Sequence, residues 1–375
     1  MLRIAALMPT RGRAACAARA VESFLQALRA CSNVTLAGLC IADDSDEEHQ
    51  QDMLRRHVVE VASRHSARIE ITRGGVGMPT HLPYPVGGGP GAARNRALHH
   101  LRTQGWPHDR LVMFDDDVSF SPTRYGGRML NCSGDLLLGE ALCMNLRERT
   151  VVGCDYAGRQ DLSILEHLRI GADRARISGA IRPAMVRENV ACVAPGEIST
   201  AFLVVTACAA EVPDFVEHYN EDYLWLLGFA RRGWALRRIH EPLVHAPPGD
   251  VAVSAASLSF QIFGEIVWLM VLEAHRYPRD DPAAIAAAVD EIIGDLRAAN
   301  GTNLKPPLCS IVDEVLVTYE RLLADLRGRR TTSLASALVA AIDVGLDHCR
   351  DDRMAATSGP DILAVTPYEC TFTKP

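Results

Sequence analysis

Three adjacent aspartates, Asp115, Asp116 and Asp117, follow the apolar run Leu111-Val112-Met113-Phe114. Carboxylates at the end of a buried strand suit a hard divalent cation, Mg2+ or Mn2+, which prefers oxygen ligands. Such a cation commonly neutralises the phosphates of a nucleotide. An acidic turn after a strand has the same spelling, so the surrounding motifs decide between the two.

Four further groups could do chemistry. In Asp43-Asp44-Ser45-Asp46-Glu47-Glu48, one carboxylate can accept a hydrogen bond from a base N–H or a ribose hydroxyl. The same run also reads as an acidic helix start. Gly87-Gly88-Gly89-Pro90-Gly91-Ala92-Ala93-Arg94-Asn95 has a G-x-G-x-x-A spelling but follows Pro83-Tyr84-Pro85, not a first strand, so a dinucleotide reading fails on context. A helix N-terminus carrying Arg94 and Asn95 can still face a nucleotide or diphosphate, or be a glycine hinge with a solvated arginine. Asn220-Glu221-Asp222-Tyr223 opens a helix and offers a general base or simply a cap. His245, in Pro242-Leu243-Val244-His245, offers an imidazole ligand, one of thirteen histidines that could equally be structural.

Elements that would position these groups are visible as periodicity. Apolar runs at Ile4–Met8, Leu36–Ile41, Ile69–Thr72 and Leu111–Phe114 read as strands. Helical patterns at Ala14–Ala30, Glu47–Ser63 and Ala92–Gln104 lie between them. This rhythm predicts βαβ units, a mostly parallel sheet and a ligand site at the carboxyl ends of the strands. Residues 118–195 read as irregular. A strand at Thr200–Thr206, an acidic helix from Asn220 to Gly233 and a strand through Leu236–Ile239 follow. Pro247-Pro248-Gly249 breaks the chain, and Ser257–Arg276, Pro282–Ala299, Cys309–Leu326 and Ser333–Cys349 read as amphipathic helices before a loosely ordered tail after Asp351.

Composition narrows the chemistry further. The 375 residues are 48% hydrophobic with a net charge of −7, enough for a sizeable core and a poor match to nucleic-acid binding. The only lysines are Lys305 and Lys374, so neither a P-loop nor a Schiff-base enzyme has its lysine near the motifs. Eleven scattered cysteines without a C-x-x-C pair read as free thiols in a reducing cytosol. Leu2–Met8 is interrupted by Pro9 and Arg11 and reads as a first strand, not a signal peptide. Phe260–Leu272 contains Gln261 and Glu265 and reads as a buried helix falling short of a membrane span. Heavy use of Ala and Arg fits a GC-rich bacterial gene.

In order along the chain, Met8-Pro9-Thr10-Arg11-Gly12-Arg13, Asp43-Asp44-Ser45-Asp46, Gly91-Ala92-Ala93-Arg94-Asn95, Phe114-Asp115-Asp116-Asp117, Asn220-Glu221-Asp222 and Val244-His245 resemble the motifs of family 2 glycosyltransferases. The resemblance covers roughly residues 1–250. It implies a GT-A type α/β fold over 1–250, with a nucleotide-sugar part at 1–117 and an acceptor part at 118–250. A helical C-terminal region, 251–375, completes the chain.

By the same resemblance, Pro9, Thr10, Arg11, Asp43 or Asp44, Arg94 and Asn95 hold a uridine-like nucleotide, with Asp115 and Asp116 beside them. Asp115, Asp117 and His245 bind Mn2+ or Mg2+, and Asp222, with Glu221 beside it, is the catalytic base. The Q-x-x-R-W signature of processive synthases is absent, which implies a single transfer. The implied partners are a nucleotide-diphosphate sugar, a UDP-sugar first among them, and a small-molecule or glycan acceptor. Apart from the resemblance, the free thiols and the lack of a membrane span read as a cytoplasmic protein or one peripheral to the membrane, and the C-terminal helices could pack on the catalytic domain, cover the acceptor site or form a homodimer. A sugar-nucleotide-forming nucleotidyltransferase and a non-catalytic nucleotide-sugar-binding protein of the same fold are the alternatives.

Overall fold

The computed structural model describes residues 1–74, 89–143, 149–158, 191–192, 199–218, 221–246, 254–272, 274, 282–300 and 308–349. Asn220, Gly87, Gly88, Pro247-Pro248-Gly249 and the tail after Asp351 lie outside them. In strand β1 (Leu2–Thr10), Ile4, Ala6 and Met8 enter one core, and Ala5 and Leu7 enter another. That period of two, apolar on both faces, is what a strand covered from two sides requires. β1 lies parallel between β2 (Val34–Asp43) and β4 (Arg110–Phe114), and β3 (Ile69–Arg73) flanks β2. Helices α1 (Ala14–Arg29), α2 (Glu48–His65) and α3 (Pro90–Gln104) alternate with them, each element within two residues of its sequence expectation. Gly89, with φ of +107°, and Pro90 at the first helical turn explain why α3 begins where it does.

β10 (Ser199–Val205) runs antiparallel between β4 and β8 (Thr150–Gly158), and β11 (Ala235–His245) runs parallel to β8. Short β5 (Val118–Ser119) and β9 (Ala191–Cys192) pair antiparallel with β11. The order is β3-β2-β1-β4-β10-β8-β11-β5, a mixed but mostly parallel sheet with helices on both faces. The expectation of an irregular 118–195 is corrected in part. Its described residues hold a hairpin of β6 (Thr123–Tyr125) and β7 (Arg128–Leu130), helix α4 (Gly134–Cys143) and inner strand β8. Val151, Val152 and Cys154 are all buried, so β8 shows no polar alternation to betray it.

Helix α5 (Glu221–Arg231) leads to α6 (Ala255–Leu272), α7 (Pro282–Asn300), α8 (Leu308–Arg327) and α9 (Ser333–His348). These pack around a separate core containing Ile262, Ile266, Val289, Val315 and Leu338. By length and mean hydropathy of 1.7, α6 could cross a bilayer, which corrects the expectation that it falls short; half of it is buried inside the protein. Cys16, Cys40, Cys132, Cys154 and Cys349 are buried free thiols, as expected.

α9 docks on α5 closely enough that a Cβ at Gly228 would lie 2.9 Å from His348 Nε2. That nitrogen is buried without a hydrogen-bond partner among the described residues. Burial, and then Arg232, push the His348 pKa down to about 4. Because the folded value lies below the unfolded 6.5, stability is full above pH 6.5 and is lost as pH falls from there towards 4. Wild type should therefore lose more melting temperature than His348→Gln between pH 7 and pH 5, by a stability difference of at most about 3 kcal/mol. Parallel melting curves for the two proteins would refute this.

Candidate active site at the sheet rim

The carboxyl ends of the parallel strands gather the polar residues. β1 ends at Thr10, whose hydroxyl donates to Asp116 Oδ2 at 2.7 Å and whose carbonyl accepts from the Asp44 N–H at 2.9 Å. Gly12, at φ +64°, turns the chain into α1 and donates its N–H to Ser45 Oγ at 2.8 Å. Arg13 is thereby aimed at the aspartates, with Nη1 donating to Asp116 Oδ1 at 3.1 Å and Asp117 Oδ2 at 2.6 Å.

The aspartate turn is held between two strands. Asp115 N–H donates to the Ala201 carbonyl at 3.0 Å, continuing the β4–β10 ladder. The Asp117 carbonyl accepts from Ala246 N–H at 2.9 Å, which sets Asp117 beside the end of β11. His245 Nε2 then lies 3.4 Å from Asp117 Oδ1, with the Tyr156 ring edge-on at 5.6 Å. Because β10 runs antiparallel, its first residues, not its last, reach this rim. Thr200 donates its hydroxyl to Asp222 Oδ2, and Asp222 Oδ1 accepts the Tyr223 N–H at 2.8 Å. Asp222 is half-buried, whereas Glu221 is buried and ion-paired to Arg94.

Electrostatics separate the carboxylates. Burial pushes Asp117 upward, but the hydrogen bond and charge of His245, with Arg13, hold it below the usual range. Burial raises Asp116 to about 7, against the opposing charge of Arg13. Burial also raises Asp115, with Arg94 opposing. Burial and then Asp222 push Glu221 upward, against the opposing charge of Arg94. Burial works against the charge of Arg94, yet Asp115 and Glu221 outweigh it and raise its pKa.

Other expected residues lie as follows. Asp43 Oδ1 accepts the Ser45 N–H at 2.9 Å, and its Oδ2 is buried with no partner among the described residues. Asp44 is ion-paired with Arg96. Arg11 sits at the outer edge with Asp46, 2.7 Å away and about half exposed. Pro9, half-buried, precedes Thr10 at the end of β1. Asn95 exchanges two hydrogen bonds with the backbone of Phe215, at 2.6 and 2.9 Å. Arg13, Arg96 and Thr200 had no assigned role from sequence. Arg13 closes the Met8–Arg13 run, whereas nothing local marks Thr200 as the partner of Asp222.

Among the described residues no group of three or more His, Cys, Asp and Glu is gathered as a metal cage. The structure brings Asp117 and His245 together and turns Asp115 towards Arg94. An ionised carboxylate beside an imidazole still fits Mn2+ or Mg2+ that takes its remaining ligands from phosphate oxygens and water.

No family model matches this chain, and no curated protein matches it. Among solved structures, S. aureus TarS aligns over 86% of this chain and 55% of its own, at 12% identity and a TM-score of 0.41. This chain therefore spans about half the length of TarS. Glucosyl-3-phosphoglycerate synthase from Mycobacterium tuberculosis, solved with Mn2+, uridine diphosphate and glucosyl-3-phosphoglycerate, aligns over 66% of this chain and 73% of its own, at 16% identity and a TM-score of 0.36. The bifunctional glycosyltransferase WbbM aligns over 61% of this chain and 34% of its own, at 12% identity and a TM-score of 0.29. At these scores the likenesses carry no functional weight, and the chemistry rests on the rim residues themselves.

Proposed function

We propose that this chain is a GT-A type glycosyltransferase that moves one sugar from a nucleotide-diphosphate sugar, a UDP-sugar first among candidates, to a small-molecule or glycan acceptor with inversion. The observation that carries this reading is the meeting, at one sheet rim, of the Asp117–His245 pair and an Asp222 oriented by Thr200. Asp117 and His245 would hold the divalent cation, which supplies charge neutralisation for the leaving nucleoside diphosphate. Asp43, whose Oδ2 has no partner among the described residues, is the better placed of the two β2 carboxylates to accept a base N–H, since Asp44 is engaged by Arg96.

Asp222 acts as the base. The acceptor O–H proton passes to its carboxylate as the acceptor oxygen bonds to the anomeric carbon. The bond from that carbon to the phosphate oxygen breaks, and the nucleoside diphosphate leaves with the electron pair. Thr200 and the Tyr223 N–H fix the carboxylate plane, so the proton is taken without first reorienting the base. Glu221 is a poor alternative, being buried and paired with Arg94.

A thermal-shift screen of nucleotide sugars with Mn2+, followed by donor hydrolysis and transfer assays, tests the reading. At a hundred times its dissociation constant, a true donor should add about 2.7 kcal/mol of stability. A protein whose melting point ignores every nucleotide and nucleotide sugar with Mn2+ is not this enzyme. Binding without any turnover would indicate the non-catalytic alternative.

A further inference from the structure

The resemblance implied Arg94 at the nucleotide, but its side chain is 6% exposed and lies between two carboxylates from different parts of the chain. Nη2 donates to Asp115 Oδ1 at 2.8 Å, and Nη1 donates to Glu221 on α5. The guanidinium carbon sits 5.5 Å from the Phe215 ring centroid, and the next residue, Asn95, holds the Phe215 backbone from both sides. One turn earlier, a Cβ on Gly91 would lie 2.3 Å from the Val216 carbonyl oxygen. Gly91, Arg94 and Asn95 thus fasten α3 to the segment entering the helix that bears Asp222. A planar guanidinium can hold two carboxylates with separate N–H groups at fixed angles, which an ammonium does less rigidly.

We propose that Arg94 is a positioning residue that ties the aspartate turn to α5, so that a ligand seated at Asp115–Asp117 also fixes the placement of Asp222. The proposal deepens the proposed function and rests on it for the identity of that ligand. Asp115 is 26% exposed and faces both solvent and Arg94, whereas Glu221 is only 5% exposed. A disturbance on the open side of the pair therefore has a direct route to the closed side.

Arg94→Ala alone would strand a buried carboxylate and could simply fail to fold. Arg94→Met combined with Glu221→Met removes both buried charges together and leaves Asp115 able to reach water. The double variant and Arg94→Lys are measured for UDP–Mn2+ affinity, for kcat and KM, and for amide exchange of residues 221–231.

In wild type, UDP–Mn2+ should slow that exchange by about tenfold, and in the double variant by less than about twofold. UDP affinity and donor KM should stay within about threefold, while kcat falls by about 100-fold, the scale of a misplaced catalytic group. Arg94→Lys should recover part of kcat. Retained kcat in the double variant, or exchange slowed by UDP as much as in wild type, would overturn the proposal. If UDP–Mn2+ does not bind wild type, the proposed function falls separately. The tie is then judged on unliganded exchange of 221–231, and equal rates in wild type and the double variant would overturn it.

Discussion

Asp222→Asn should lower kcat by about 10²–10⁴-fold, the usual worth of a general base, with donor KM nearly unchanged. The substitution is isosteric. Its amide oxygen can still accept the Tyr223 N–H, and the Thr200 hydroxyl can turn to accept from the new amide group. What is lost is the ability to take a proton at neutral pH. Because Asp222 is half-buried and its neighbours keep their partners, the melting temperature should move little. Thr200→Val is the companion measurement: the base survives but loses one of its two orienting bonds, and kcat should fall by about tenfold without a change in donor affinity. A folded Asp222→Asn enzyme with near-wild-type kcat would take Asp222 out of the base role.

Chelation should reduce transfer by about 10³-fold or more, with added Mn2+ restoring it, since charge neutralisation of this kind is worth several kcal/mol. Asp117→Asn should abolish the restoration at the same Mn2+ concentration and remove the Mn2+-dependent gain in UDP binding. Asp117 is the sharpest test because His245 and Arg13 hold it ionised despite its burial. Arg13 donates to the carboxylate oxygen that His245 does not approach. Arg13→Gln should therefore leave Mn2+ binding intact while loosening the aspartate turn. Full activity after exhaustive chelation would refute the metal's role while leaving that of Asp222 standing.

The elements before the aspartate turn were legible because each carries a simple period. β1 alternates between two cores, and α1 buries Ala17, Val21, Phe24 and Leu28 on one stripe. β8 was not legible, because a strand buried on both faces and interrupted by Gly153 resembles any short apolar run. The site divides in the same way. Asp115–Asp117, Asp222 and His245 could be named from residue type and position. Sequence could not say that Asp115 faces Arg94 while Asp117 faces His245. Those choices depend on pairings such as Asp117–Ala246 and Asp115–Ala201, which span 86 or more positions. Arg94 and Asn95 show the limit most clearly: nothing local in the sequence marks Asp115, Glu221 and the Phe215 backbone as the partners they take in the fold.

Helix α5 belongs to two cores at once. Trp225, Leu226 and Phe229 pack with the sheet, while Leu224 packs with α6–α9, and Arg231 and Arg232 donate to the carbonyls of Val271, His348 and Cys349. The two cores are therefore mechanically one machine. Clipping the chain near position 250 would strip a flank from the very rod on which Asp222 rides, so a truncated sheet half would be a folding liability, not a minimal enzyme.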